Sequence, residues 1–126
     1  MAVIGIGTDI IEISRIANMA DDVRERFALR VLKPIEYEKY MTLKQPERFL
    51  AKRWAGKEAA SKALGTGIAK GVSFQHFEIK SLESGQPMLI LEGKALEIAK
   101  KMGASHWHIS LSDEATYATS FVVLSV

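Results

Sequence analysis

Apolar residues recur with two different periods along this chain, and the change of period separates extended from helical segments. Residues 2–10 are mostly apolar and include two glycines, and this pattern predicts a buried strand. A helical period covers 12–31, where Asp21-Asp22 should interrupt it by capping a second helix. The strongest helical signal is the Ala-, Lys-, Arg- and Glu-rich run over 46–64, which the glycines at 65–67 should end.

After Gly71 a period of two replaces the helical period. Alternation over 74–81 predicts a strand with one apolar side, and a turn at 84–87 should lead into a second strand at 88–91. An amphipathic helix and two further strands are predicted at 93–102, 106–112 and 116–126. The order strand, helices, hairpin, helix, hairpin predicts an α+β fold with a mainly antiparallel sheet.

The composition narrows the class of protein. The 126 residues are 48% hydrophobic and 25% charged, with no repeat or linker, which predicts one globular domain over 1–126. The chain has no cysteine, so thiol nucleophiles, disulfides and cysteine-ligated metals are excluded, and a reducing cytoplasm is the expected location. The sequence starts without a signal peptide's basic region, and no apolar run approaches the roughly 20 residues that span a membrane. A net charge of +2 gives no reason to expect nucleic acid as a partner.

The helix over 46–64 carries a polar stripe. Glu58 lies one turn from both Trp54 and Lys62, and Ser61 and Gly65 continue that face. Small alanines beside the stripe leave room for a ligand or another backbone. The simplest interpretation is a solvated Glu58–Lys62 pair, worth about 0.2–0.5 kcal/mol.

Asp9 changes that interpretation. It follows an apolar, glycine-containing strand, where a charge is costly unless it is paired or binds a metal. One alternative is that Asp9 caps the following helix. Together, Asp9 and Glu58 could offer two carboxylates to Mg²⁺, which typically takes one or two from the protein and the rest from water and phosphate. Lys62 would then face a phosphate, although the spacing alone leaves convergence of the three residues open.

Two stretches together resemble the holo-[acyl carrier protein] synthase family. The first is Gly5-Ile6-Gly7-Thr8-Asp9-Ile10-Ile11-Glu12, and the second is the helix segment 49–63, with its Lys-Glu-Ala-x-x-Lys pattern ending at Lys62. Gly65-Thr66-Gly67-Ile68, the turn Gly85-Gln86-Pro87 and the closing β-hairpin also match in order and spacing. The resemblance therefore covers essentially the whole chain.

This resemblance implies a fold in which an antiparallel sheet packs against a long central helix and N-terminal helices. It implies Mg²⁺-dependent transfer of 4′-phosphopantetheine from coenzyme A to a serine of apo-acyl carrier protein, for fatty acid biosynthesis. The enzyme would be a homotrimer that binds coenzyme A in clefts between subunits. Asp9 and Glu58 would hold the metal, and Lys62 would be the active-site lysine. Coenzyme A contacts would be Arg53, Glu58, Ser61, Lys62, Gly65, Gly85 and Pro87, and the acidic carrier protein would contact Arg15, Met19, Arg24 and Phe27.

One position departs from the family pattern, because many relatives have a histidine where this chain has Asp113. Strict alternation would put Asp113 on the face of its strand that also carries Trp107, Ile109 and Leu111. There it either faces the site or only begins the turn with Glu114. The base that accepts the serine proton stays open among Glu58, a metal-bound water and Asp113.

Other interpretations compete with this one. The same chemistry could serve a carrier of a polyketide or peptide assembly line. A nucleic-acid-binding protein could use the basic helices with Trp54 and Phe49, but it would leave Asp9 and Glu58 unexplained. A non-catalytic oligomerising module would explain only the apolar first strand. The two alternating histidines, His106 and His108, are interpreted as surface or interface residues.

Overall fold

Five strands and five α-helices make up residues 2–126, the part of the chain that this computed structural model describes. In chain order they are β1 (Val3–Glu12), α1 (Ser14–Ala17), α2 (Asp21–Val31), α3 (Pro34–Tyr40), α4 (Pro46–Ala63), β2 (Phe77–Ser81), β3 (Pro87–Leu91), α5 (Gly93–Lys101), β4 (His106–Asp113) and β5 (Tyr117–Ser125). The strands form two antiparallel sheets, one with the order β1-β5-β4 and one that pairs β2 with β3. The predicted α+β class is confirmed, and Pro34 and Pro46 begin α3 and α4, where a proline's missing N–H leaves no helical hydrogen bond unmade.

The register of the three-stranded sheet decides which side chains face α4. Side chains alternate along a strand, so the face of β1 toward α4 carries Gly5, Gly7, Asp9 and Ile11. Asp9 lies opposite Ser120 of β5, and Ser120 lies opposite Leu111 of β4. The acid therefore sits on the face of the sheet that α4 covers, beside Ser120.

Two glycines of β1 bring the strand directly against α4. A Cβ at Gly7 would lie 1.8 Å from the carbonyl oxygen of Ala59, and one at Gly5 would lie 2.5 Å from that of Ala63. Any side chain there would push the helix away from the strand. The glycines thus set the distance between Asp9 and the polar stripe of α4.

A fully buried ion pair anchors the other side of α4. Lys57 Nζ lies 2.6 Å from Glu36 Oε1 and donates to the carbonyl oxygen of Val31 at 2.7 Å. The Glu36 carboxylate also accepts hydrogen bonds from the backbone of Lys33 at 2.8 Å and of Ile79 at 2.9 Å. Burial lowers the pKa of Lys57, and Glu36 opposes that shift. Every polar group of this network is paired. The network therefore holds Lys57, the residue next to Glu58, against α3 and β2.

Two sequence predictions are wrong in detail. The strand expected from residue 74 begins at Phe77, since Phe74–His76 forms a 3₁₀ turn whose Ser73 hydroxyl accepts a hydrogen bond from Gln75 N at 3.2 Å. β1 continues to Glu12, so Asp9 lies within a strand and does not cap the next helix.

The face of the sheet away from α4 is uncovered and exposes large apolar side chains among polar ones. It exposes 60% of Ile6, 61% of Ile10 and 46% of Phe121, on the adjacent strands β1 and β5. His106 and His108 lie exposed at the β4 side of this face. None of the helices within residues 2–126 has the length and apolar character that crossing a bilayer requires.

Candidate functional site

Asp9 and Lys62 meet at the β1 edge of the sheet. Lys62 Nζ lies 2.8 Å from Asp9 Oδ1 and donates to the carbonyl oxygen of Thr8 at 3.1 Å. Only 17% of the Asp9 side chain is exposed, against 51% of the Lys62 side chain. Lys62 therefore reaches across to β1, instead of forming the solvated pair with Glu58 that the helix alone would allow.

Glu58 lies beside this pair. It is partly buried and precedes Lys62 by one helical turn, which places their Cβ atoms about 5–6 Å apart. Asp9 from β1 and Glu58 from α4 thus lie near Lys62, and of the two only Asp9 forms an ion pair with it. Within residues 2–126, no group of three or more His, Cys, Asp or Glu side chains gathers to form a metal site. A cation at this position would complete its coordination with other oxygens, as Mg²⁺ commonly does.

Ser61 and Gly65 differ in what they offer a ligand. Ser61 is fully buried and its hydroxyl donates to the carbonyl oxygen of Glu58 at 2.7 Å, so its surroundings do not support the predicted contact with coenzyme A. Gly65 ends α4 with a φ of +80°, a conformation that favours glycine, and no atom lies within 4 Å of where its Cβ would be. Gly65 therefore borders open space one turn beyond Ser61.

Arg53 lies on the opposite flank of α4 from Asp9. Its Nη2 donates to the Ser81 hydroxyl at 3.3 Å, and its guanidinium carbon lies 4.4 Å from the centre of the Phe49 ring. Burial lowers the pKa of the Arg53 guanidinium. Its Nε is buried and has no hydrogen-bond partner within residues 2–126. Pro87 pairs with Ser81 across the small sheet, and Gly85, with φ +89°, forms the turn between the two strands.

A cavity of about 800 Å³ opens beside Arg53. The cations that line it are Lys39, Lys44, Arg48, Lys52, Arg53 and Lys80, and the acids are Glu36, Glu78 and Asp113. The sequence analysis missed this cation cavity, except for Arg53 and Asp113, because its residues come from α3, the loop after it, α4, β2 and β4. No period or motif in the sequence links those segments.

Asp113 lies at this cavity, on the α4 side of the sheet. Its carboxylate oxygens lie 2.9 Å from Arg48 Nη1 and 3.1 Å from Lys52 Nζ. Burial by itself would raise the pKa of this carboxyl, but the hydrogen bonds and charges of Lys52 and Arg48 hold it below its ordinary value. The alternation expected from sequence is confirmed, and Asp113 ends β4 as an ion-paired residue.

The predicted carrier-protein contacts gather around Trp54. The guanidinium carbon of Arg15 lies 4.9 Å from the centre of the Trp54 ring, and the Phe27 ring meets the indole edge-on at 4.7 Å. Met19 packs, partly buried, against the same apolar cluster. Arg24 lies nearby on α2, with Nη2 2.9 Å from Asp21 Oδ1. Because Trp54 precedes Glu58 by one turn, this surface adjoins the Asp9–Lys62 pair.

The candidate residues thus form two groups on opposite flanks of α4. Asp9, Glu58, Lys62 and Gly65 lie toward β1, at one edge of the three-stranded sheet. Arg53, Gly85 and Pro87 lie toward β2 and β3, and the cavity beside Arg53 reaches Asp113 of β4 at the other edge. The first group can hold a cation and a phosphate, and the second can hold an anion, but one chain keeps them apart.

Comparison with known proteins gives a consistent result. Residues 5–122 match the family model described as the 4′-phosphopantetheinyl transferase superfamily. A holo-[acyl-carrier-protein] synthase of Vibrio vulnificus is 54% identical over 123 residues, covering 98% of each chain. The structure of the Neisseria meningitidis synthase superposes with a TM-score of 0.89 at 37% identity, covering 99% of this chain and 100% of that one. A Bacillus anthracis synthase in complex with coenzyme A (3′,5′-ADP) has a TM-score of 0.81 at 36% identity, covering 97% and 96%.

Proposed function

Because this chain belongs to the 4′-phosphopantetheinyl transferase superfamily, we propose that it transfers 4′-phosphopantetheine from coenzyme A to a serine of apo-acyl carrier protein. The products are the holo-carrier and adenosine 3′,5′-bisphosphate, and the carrier is that of fatty acid biosynthesis. The match over residues 5–122 supports one transferase domain. The observation that carries the proposal is the Asp9–Lys62 pair, held beside Glu58 by the glycine contact between β1 and α4.

The donor set at this pair fits Mg²⁺. Carboxylate oxygens are the protein ligands that Mg²⁺ prefers, and two of them leave positions for water and phosphate oxygens. Asp9 and Glu58 would hold the ion, which when bound supplies positive charge for the diphosphate of coenzyme A. Asp9 would then bind the metal in place of Lys62.

Lys62, no longer paired with Asp9, would still lie one helical turn from Glu58. From there it would bind a phosphate oxygen. In the reaction the serine oxygen forms a bond to the phosphorus that carries pantetheine, and the hydroxyl proton passes to a base, for which Glu58 or a water molecule beside it is the candidate at this position. The bond from that phosphorus to the bridging oxygen of the diphosphate breaks, and adenosine 3′,5′-bisphosphate leaves with the electron pair. Such transfers depend mainly on positioning and on stabilising charge. Lys62 is suited to offset the charge that grows on the leaving phosphate.

The separation of the two residue groups supports a site shared between subunits. Coenzyme A is long enough to extend from a diphosphate site to a separate site for its adenosine phosphate. We place the diphosphate at Asp9, Glu58 and Lys62 of one subunit, and the adenosine phosphate in the cation cavity of its neighbour. The uncovered apolar face of β1 and β5 supplies a surface through which three copies would associate.

The carrier protein would dock on the surface around Trp54. Arg15 lies over the Trp54 indole, and Phe27 lies against its edge. Trp54 itself is one helical turn from Glu58. An acidic carrier would bring its serine to the metal site from this side, with arginines matching its charge. This places the acceptor hydroxyl and the diphosphate on the same edge of the molecule.

The test is mass spectrometry of an apo-acyl carrier protein incubated with the protein, coenzyme A and Mg²⁺. We expect a mass gain of one phosphopantetheine group. EDTA, Asp9→Ala and Glu58→Ala should each abolish it, while Lys100→Ala, on an exposed position of α5, should not.

Two results would contradict the proposal. If the folded protein modified no apo-carrier, including carriers from polyketide and peptide assembly lines, the transferase assignment would be wrong. If transfer persisted in EDTA and in both alanine variants, the reaction would stand but the metal site would not. Circular dichroism of each variant separates loss of function from loss of fold.

A further inference from the structure

Asp113 is the one acid of the cation cavity that holds two of its cations. Its Oδ2 lies 2.9 Å from Arg48 Nη1 and its Oδ1 lies 3.1 Å from Lys52 Nζ, and a quarter of the side chain is exposed (25%). Asp113 is the last residue of β4, where its backbone pairs with Ala118, and its two ion pairs hold the side chain toward the cavity. Asp113 is a permanent negative charge at an anion-binding surface.

The other two acids of the cavity are bound elsewhere. Glu36 is engaged by Lys57 and by two backbone N–H groups, and Glu78 lies 3.9 Å from Lys33, a residue outside the cavity lining. Asp113 alone therefore competes for the lining cations. Four of them, Lys39, Lys44, Arg53 and Lys80, have no carboxylate within 4.0 Å in the described part of the chain.

We propose that Asp113 acts as a built-in competitor of the substrate phosphate and limits how tightly the cavity binds the adenosine phosphate part of coenzyme A. The inference rests on the proposed function, which places that phosphate in this cavity. Asp113 is thus a specificity-determining residue that sets affinity through Arg48 and Lys52, with no part in bond making.

The physical reason is that one carboxylate already uses the charge of two cations. An incoming phosphate meets Arg48 and Lys52 partly neutralised, and it is repelled by the carboxylate between them. Binding of substrate and of leaving group weakens together, because both carry the same bisphosphate. Tight binding shared by substrate and product does not accelerate the chemical step, and it slows product release. Weakened binding at this point therefore favours turnover.

A purely structural role makes a different prediction. Arg48 also donates to the carbonyl oxygens of Glu114 at 2.9 Å and Ala115 at 3.3 Å, so Asp113 helps to secure the turn after β4. If that were its whole role, removing its charge would lower stability and would leave anion affinity unchanged or weaker. The two roles differ in the sign of the affinity change.

The experiment is isothermal titration of the full chain with adenosine 3′,5′-bisphosphate at low and moderate salt. We expect Asp113→Asn to lower the Kd by about 3- to 20-fold, with a larger gain at low salt. Asp113→Glu should restore the wild-type Kd. Glu114→Gln is the matched control, because it removes the same charge one residue away and outside the cavity lining, and it should leave the Kd within about twofold.

The outcomes separate the inference from the proposed function. An unchanged or higher Kd in Asp113→Asn, or an equal gain in Glu114→Gln, would overturn the role of Asp113. If Asp113→Asn unfolds, Asp113→His supplies the same test, since it also removes the negative charge. Lys44→Ala tests whether the cavity binds the bisphosphate. An unchanged Kd in that variant would mean that the bisphosphate binds elsewhere, and the placement in the cavity would then be wrong before the role of Asp113 is considered.

Discussion

Arg15 and Trp54 show how single side chains connect the parts of this site. The Arg15 guanidinium lies over the Trp54 indole, and Trp54 lies one helical turn before Glu58. A charge placed on an aromatic surface is held in one orientation without a salt bridge, which leaves it free to meet an acidic partner. Arg15 has no carboxylate within 4.0 Å in the described residues, whereas Arg24 is paired with Asp21, so we propose that Arg15 is the arginine that meets the carrier.

Replacing Arg15 with glutamate should weaken carrier docking alone. We expect Arg15→Glu to raise the KM for the acyl carrier protein about 10-fold or more, because like charges would face each other across the interface, and to change the KM for coenzyme A less than twofold. Steady-state kinetics with each substrate varied in turn measures both. Lys101→Glu, the same charge change on exposed α5, is the control, and an equal loss for both substrates would disprove the docking surface.

At the scale of elements, the distance between β1 and α4 determines whether the site exists. Asp9 is carried by the strand and Glu58 and Lys62 by the helix, so their alignment depends on the glycine contact at Gly7 and Gly5. The Glu36–Lys57 pair holds the helix from its other side. The helix is therefore positioned by close packing on one face and by a buried ion pair on the other.

A methyl group at Gly7 should separate these elements. A Cβ there would lie 1.8 Å from Ala59 O, so Gly7→Ala forces β1 and α4 apart and should cost about 1–3 kcal/mol of unfolding free energy. It should also reduce kcat at least 10-fold, because a shift near 1 Å misplaces Asp9. Urea unfolding and the transfer assay measure the two effects. Glu97→Ala on exposed α5 is the control; a stable, fully active Gly7→Ala would show that the contact does not set the site.

Element boundaries were predictable where local chemistry decided them. The prolines that begin α3 and α4 and the αL glycine after α4 follow local rules. The predicted break before α2 is found, but Asp21 and Asp22 lie in its first turn and do not cap it, because the N-cap is Ala20 and no side chain caps the helix. The 3₁₀ turn at 74–76 was missed because one serine side chain, Ser73, redirects an alternating pattern.

Pairing across the chain was less predictable. The family motifs indicated Asp9, Glu58 and Lys62, but the residues alone left open whether they meet, since that depends on tertiary packing of a strand against a helix 40 and more residues away. The cation cavity and the Glu36–Lys57 pair carry no motif at all, because their members come from separate elements. Burial of a lysine cannot be read from its sequence neighbours.

At the scale of the whole molecule, two observations point to assembly. One face of the three-stranded sheet leaves Ile6, Ile10 and Phe121 exposed on adjacent strands, which is unfavourable in water. The two groups of site residues lie on opposite flanks of α4, so one chain presents them on different sides of the helix. An association that covers the apolar face and joins the two groups explains both features, and the proposed homotrimer does so.

A charge on the uncovered face should therefore abolish activity without unfolding the chain. We expect Ile6→Lys to convert the trimer to monomers, since a lysine in an apolar interface is not compensated, and to reduce transfer at least 100-fold because each site loses its neighbour's half. Light scattering after size-exclusion chromatography gives the assembly state, and circular dichroism verifies the fold. Met41→Lys is the control, because Met41 is 61% exposed and Ile6 60%, but Met41 ends α3 away from the sheet. A monomeric Ile6→Lys with wild-type activity would mean that one chain holds a complete site, and the shared cleft would have to be abandoned.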